Sequence, residues 1–191
     1  MVLGACTPPQ PPQLQRATLL PSAKPLLDFT LVDHTNQAFT RGTLTGQWTF
    51  AFFGYTHCPD VCPTAMSMMV QLRHMLETDM TADELPRVVF FSVDPQRDTP
   101  QQLASFVPYF HPDFVGVTGD EDQILQLTRQ IGILHARAEE GAGDDYLVDH
   151  SASIMLFDPD GKFHAVFSMP HDPQLIASDF LAIKRYYEAL R

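Results

Sequence analysis

Phe52-Phe53-Gly54-Tyr55-Thr56-His57-Cys58-Pro59-Asp60-Val61-Cys62-Pro63-Thr64 is the stretch on which the reading of this chain turns. A run of bulky apolar residues ends at Phe53, and two cysteines four apart follow before a helical pattern begins. Soft sulfur is the usual ligand for Cu(I), Zn and iron–sulfur centres, and a thiolate is also the nucleophile of disulfide exchange. Pro63 biases Cys62 away from helical backbone, while its own fixed φ suits a first helical position. Cys62 is therefore expected at the mouth of a helix, solvent-accessible, where orphan N–H groups and the dipole favour a thiolate. The bland alternative is two small apolar residues in a packed loop.

Working outward, Trp48 to Phe53 is a continuous β-favouring run, the sign of a strand buried on both faces. The helix from Pro63 to about Glu77 places Met66, Met69, Leu72 and Leu76 on one stripe. Arg87 to Asp94 reads as a second buried strand. Thr99-Pro100-Gln101-Gln102 supplies a cap and a first-turn proline for the next helix. A short strand over 114–117 and a helix over 120–131 follow, then strands over 133–138 and 153–157. Asp158-Pro159-Asp160-Gly161 joins the latter to a strand over 163–167, and a final helix runs from about Gln174 to Leu190. Nearer the start, Leu27–Val32 and Ala38–Thr40 flank the turn Asp33–Gln37 as an N-terminal β-hairpin. Alternating strands and helices predict an α/β fold with a central mixed sheet flanked by helices. A cysteine loop at the carboxyl end of a central strand is where a thioredoxin-like fold carries its redox loop.

Hydrophobic residues make up 45% of the 191, enough for most of the chain to fold around a core. With 23 acidic and 12 basic residues the formal charge is −11, and no Lys/Arg run interrupts it, which argues against nucleic acid as a partner. No stretch approaches the ~20 apolar residues of a membrane span. Leu3-Gly4-Ala5-Cys6 has the form of a bacterial lipobox without the rest of a signal peptide, as in a precursor clipped near its cleavage site. Pro8, Pro9, Pro11, Pro12, Pro21 and Pro25 then predict an extended tether. Residues 1–25 are accordingly assigned to a lipobox remnant and tether, and 26–191 to one thioredoxin-like domain. The membrane would be met only through a lipid on Cys6, and the setting would be the bacterial periplasm.

The cysteine segment, Ser92-Val93-Asp94-Pro95-Gln96-Arg97-Asp98-Thr99-Pro100, and Val148-Asp149-His150-Ser151 followed by Phe157-Asp158-Pro159-Asp160-Gly161 resemble the SCO/SenC family in that order over roughly residues 26–190. The resemblance implies a thioredoxin-fold copper-binding protein that assists assembly of the Cu-A centre of cytochrome c oxidase. It carries the copper ligands onto Cys58, Cys62 and His150, and implies as partner the oxidase Cu-A subunit or another copper chaperone. Two sulfurs and one imidazole are too few for the closed four-coordinate sphere of structural zinc, and they suit both Cu(I) and Cu(II).

Of eight histidines, His34, His74, His111, His135, His164 and His171 are expected as surface or satisfied core residues. His57 adjoins Cys58, but neighbours on an extended loop point apart. Asp149 is weighed as an orienting partner of His150 against a solvated loop acid. Met66, Met68 and Met69 are thioether candidates for copper, with core packing the simpler reading. Asp94 is weighed as a support for the cysteine loop against a cap at Pro95. Glu139, Glu140, Asp144 and Asp145 with Gly141 and Gly143 form an acidic loop, read either as solvated or as a flap carrying His150.

Three functions compete. The first is a copper metallochaperone. The second is a thiol–disulfide oxidoreductase in which Cys58 and Cys62 cycle between dithiol and disulfide and keep a target's cysteines reduced. The third, a peroxidase-like thiolate at Thr56-His57-Cys58, is disfavoured by the second cysteine and His150.

Overall fold

The computed structural model describes residues 9–138 and 146–191. In chain order the strands are Ala17–Lys24 (β1), Thr30–Asp33 (β2), Ala38–Thr40 (β3), Thr49–Gly54 (β4), Arg87–Ser92 (β5), Val115–Thr118 (β6), His135–Arg137 (β7), Val148–His150 (β8), Ile154–Phe157 (β9) and Phe163–Phe167 (β10). The helices are Val61–Leu76 (α1), Pro100–Phe110 (α2), Glu121–Ile131 (α3) and Pro173–Ala189 (α4). Eight strands form one sheet in the order β1-β10-β9-β4-β5-β6-β2-β3, and β7 pairs with β8 in a separate ribbon. β4, β5 and β6 run parallel, and every other neighbouring pair in the large sheet is antiparallel.

The architecture follows from the apolar runs. All six residues of β4 are buried, as are five of six in β5, because crossover helices cover parallel strands. Phe53 stacks on Phe91 at 4.8 Å between centroids, with Phe39 edge-on to Phe91 at 5.5 Å. Such pairs add about 0.5–1.5 kcal/mol each beyond burial. α1 packs along α4, and Met66, Met69, Leu72 and Leu76 of α1 are all in the core. Thr99 caps α2 by accepting from the Gln102 N–H at 3.2 Å, as its sequence suggests.

The N-terminal hairpin is β2–β3, around the turn that Asp33 ties down through three hydrogen bonds. The tether expected over 7–25 is cut short. Ala17–Lys24 is instead a strand, antiparallel to β10. Pro21 argued against a strand there, but β1 lies at the edge of the sheet, where a missing N–H is tolerated, and its register shifts between Leu19 and Lys24. The lipobox residues Leu3–Cys6 and the acidic loop over 139–145 lie outside the described residues. Among the described residues no helix is long and apolar enough to cross a membrane.

Candidate metal centre

The centre begins where β4 ends. Gly54 is followed by a tight loop in which the Cys58 N–H donates to the Tyr55 carbonyl at 3.2 Å. Helix α1 starts at Val61, two residues before the expected proline, with Asp60 at the capping position. Pro63 then sits inside the first turn, where its missing N–H costs no intrahelical bond. Cys62 is thereby the second helical residue, and its side chain turns inward. A Cβ on Gly54 would lie 2.5 Å from Cys62 Sγ, so only glycine leaves the sulfur its space.

Cys62 is fully buried, which corrects the expectation of an accessible thiolate at the helix mouth. Burial pushes its thiol pKa up, and the neighbouring Cys58 adds to this, against a backbone hydrogen bond from Tyr55. Desolvation outweighs the helix dipole because the sulfur has left the water that makes a dipole-stabilised thiolate affordable. Cys58 is only partly buried, and its Sγ accepts from the Cys62 N–H at 3.4 Å.

His150 is the last residue of β8 and meets these sulfurs from across the site. Its Nε2 lies 3.5 Å from Cys62 Sγ. One ligand atom from each of Cys58, Cys62 and His150 falls within 4.8 Å of the others. The ring is set edge-on to Phe52 at 5.9 Å and Tyr55 at 5.8 Å. Nδ1 faces the Ser151 carbonyl at 3.2 Å, an arrangement that protonates Nδ1 and leaves the Nε2 lone pair toward sulfur. Burial holds the imidazole pKa below its ordinary value, so the ring is neutral and ready to ligate. The orienting groups are the backbone carbonyls of Ser151 and Phe53, and Asp149 is exposed and acts on the ring through its charge.

Two thiols and a neutral imidazole converging in this way suit a soft cation, whose arrival would expel the thiol protons. A cavity of about 250 Å³, lined by Tyr55, Cys58, Pro59, Leu147 and His150 among others, opens beside the donors. An exchanging ligand has a way in.

A buried carboxylate braces the loop. Asp98 is fully buried and accepts from the Thr56 N–H at 2.9 Å, the Thr56 hydroxyl at 2.6 Å and the Ser92 hydroxyl at 2.7 Å. Burial raises its pKa while those hydrogen bonds pull it down. Asp94, next to it, accepts from Arg97 and from the Tyr146 hydroxyl at 2.6 Å. The Arg97 guanidinium donates to the Tyr146 carbonyl at 2.9 Å and lies 3.6 Å from the Tyr146 ring centroid. Asp94 therefore ties β5 to the segment leading into β8. The cysteine loop itself is held by Asp98, which sequence reasoning quoted within a motif without giving it a role. Gly54 likewise stands in the cysteine motif without a role assigned to it, and Tyr146 stands in none of the motifs.

Several other histidines have partners away from the sulfurs. His57 is exposed and turns to the Thr56 hydroxyl at 3.1 Å. His34 accepts from the Gly116 N–H at 3.1 Å, and His164 meets Asp158 at 3.1 Å. Met66 and Met69 are fully buried, and Asp158-Pro159-Asp160-Gly161 is a turn closed by the Gly161 N–H on the Asp158 carbonyl.

The SCO1/SenC family model matches residues 20–185. The chain is 36% identical over 166 residues to the mitochondrial SCO2 homolog of Bos taurus, spanning 86% of this chain and 60% of that protein. The solved structure of Arabidopsis thaliana ScoI with copper bound superposes with a TM-score of 0.78 at 32% identity, covering 84% of this chain and 98% of that one. Bradyrhizobium japonicum ScoI, also solved with copper bound, superposes at 0.71 with 34% identity, over 83% and 97%. With its thioredoxin-like sheet, its cysteine pair and the facing histidine, this chain belongs to the SCO1/SenC family.

Proposed function

We propose that this protein is a copper carrier that binds one ion through Cys58, Cys62 and His150 and passes it to the Cu-A site of cytochrome c oxidase. The observation that carries the reading is the convergence of these three donors within 4.8 Å beside an open cavity. Two sulfurs hold Cu(I), and the imidazole makes Cu(II) tolerable. Three protein ligands leave room for a fourth from a recipient, so transfer can proceed one ligand at a time. The recipient would be the oxidase subunit or another copper chaperone. A lipid on Cys6 would hold the protein at the outer face of a bacterial membrane, in the periplasm.

Anaerobic Cu(I) and Cu(II) titration of wild type, Cys58→Ser, Cys62→Ser and His150→Ala tests the proposal. One ion per chain is expected in wild type. High-affinity binding should vanish in both cysteine variants, and His150→Ala should weaken Cu(II) more than Cu(I). Unchanged binding in the cysteine variants would overturn it.

The adjacency of the two thiols also supports a thiol–disulfide role. Cys58, the more accessible, would attack a target disulfide and release one target thiol. Cys62 would then displace the second and leave Cys58–Cys62 oxidised, with two electrons passed to the target. Reduction of an oxidised Cu-A peptide by His150→Ala at the wild-type rate would separate this role from copper handling.

A further inference from the structure

Next to the metal centre, separated from its cavity by Asp60 and Val61, lies a second cavity of about 280 Å³. Asp60 and Val61 line both. Its walls are one face of α1, where Val61, Ala65 and Met68 follow at helical spacing, and the segment before α4 that carries Met169 and His171. Three residues that carry soft or borderline donors, two methionines and a histidine, thus line one space.

Met169 departs most from what packing alone would require, while Met68 belongs to the core and reaches the cavity from its edge. Met66 and Met69 on the same helix are completely buried, whereas Met68 keeps 7% exposure and lines this cavity as well as the neighbouring one with His171. Met169 is 58% exposed, although methionine ordinarily belongs inside. His171 places Nε2 3.3 Å from the Phe167 carbonyl, which assigns the proton to Nε2 and leaves Nδ1 as the lone-pair nitrogen. Burial keeps this ring neutral as well. The acidic side chain of Asp60 stands at the shared wall, and the chain's charge of −11 draws cations toward it.

We propose that Met68, Met169 and His171 form a second, weaker Cu(I) site that receives the ion before handing it across Asp60 and Val61 to Cys58 and Cys62. Thioethers bind Cu(I) as soft neutral ligands, and thiolates bind it more tightly because they also carry charge. The hand-over therefore runs downhill, and it changes no oxidation state. The site itself is independent of the copper-carrier reading, while the staging role rests on it.

The test uses Ag(I), a redox-silent stand-in for Cu(I), with Cys58→Ala/Cys62→Ala protein carrying methyl-labelled methionine. One equivalent should shift the methyl signals of Met68 and Met169 and the ring of His171, leaving Met66 and Met69 in place. Unmoved Met68 and Met169, or shifts on every methionine in proportion to exposure, would overturn the site. Staging is tested with intact cysteines. Met68→Leu/Met169→Leu conserves volume and should slow copper capture from a Cu(I)–bicinchoninate complex severalfold, with final affinity at the cysteines unchanged. An unchanged rate would overturn the staging role. Wild type that takes up no copper on its cysteines would refute the carrier reading without touching the silver result.

Discussion

Cys62 and His150 arrive at one point from very different ground. The cysteine stands on the first turn of α1, against β4 in the middle of an eight-stranded sheet, with Gly54 behind its sulfur and Asp98 locking its loop. The histidine ends a three-residue strand in a two-stranded ribbon, and two strands alone are marginally stable in water. What braces it beyond that ribbon includes the contacts from Tyr146 to Asp94 and Arg97, buried Val148, and the Phe52 and Tyr55 rings against the imidazole. The thiol side is therefore preset and the imidazole side adjustable. The proposed carrier role would use both qualities, a firm hold and one ligand that lets go.

Gly54→Ala attacks the rigid side most directly. The new methyl would meet Cys62 Sγ at 2.5 Å and the Phe52 and Phe90 rings at 3.1 and 3.2 Å. Overpacking of this kind costs about 1–3 kcal/mol, and the displaced sulfur should lower copper affinity by roughly 10–100-fold, as when a ligand's support is lost. Competition titration and urea unfolding measure the two effects. Wild-type values for both would show that the loop yields, and the contrast would fail.

Asp98→Asn is the next largest. The amide cannot accept from all of Thr56 N–H, Thr56 hydroxyl and Ser92 hydroxyl, and a loss of about 1–3 kcal/mol follows from the unmatched polar groups. The sign of its pH dependence is fixed by the raised carboxyl pKa. Above 3.8 the native state keeps a proton that the unfolded chain has given up, so wild-type stability falls as pH rises through the native value. The gap between wild type and Asp98→Asn should accordingly be widest near pH 4 and narrow toward pH 7. A gap that widens with pH would mean that Asp98 is stabilised as an anion.

Much of this geometry was legible beforehand. Strands over 48–53 and 87–94 and the capped helix after Thr99 followed from apolar runs and Thr99-Pro100, features that act within a few residues. The cysteine pair was visible by spacing, and His150 through the family resemblance. Other parts depended on distant partners. Asp98 reaches Thr56 across 42 positions, and Asp94 reaches Tyr146 across 52. Neither pairing leaves a local pattern. Cys62 was misplaced because Pro63 specifies backbone torsion and says nothing about whether glycine stands behind the sulfur. β1 escaped notice because edge strands accept the proline that central ones refuse.

On the adjustable side, Tyr146→Phe removes the hydroxyl bonded to buried Asp94 and should cost about 1.5–3 kcal/mol, the range for hydrogen bonds to charged groups. Its effect on metal should be confined to Cu(II), severalfold weaker, with Cu(I) unchanged. Equal losses for both ions would tie Tyr146 to the thiols and blur the two sides.

The smallest effect belongs to His150 in metal-free protein. Its pKa is lowered by burial from 6.5. As pH falls through 6.5 the unfolded chain takes up a proton that the native ring refuses, so stability drops with acidification. His150→Gln removes that contribution. Between pH 7.5 and 5.5 wild type should lose roughly 1–2 °C more in Tm than the variant, given a few degrees per kcal/mol for a chain of this size. Parallel pH profiles would place His150 in water, away from the sulfurs.

Far from the donors, Asp179 on α4 gathers the backbone N–H groups of Gln15, Arg16 and Ala17 on one carboxylate, at 2.6 to 3.0 Å. Three main-chain bonds converging on a helix make a strain relief, like the grommet on a cable. A pull on the chain upstream of Gln15 is delivered to α4 and the outer edge of the sheet, three strands away from β4. Because α4 also packs along α1, the helix that carries Cys62, the same helix pair anchors both the N-terminal strand and the thiol side of the metal centre.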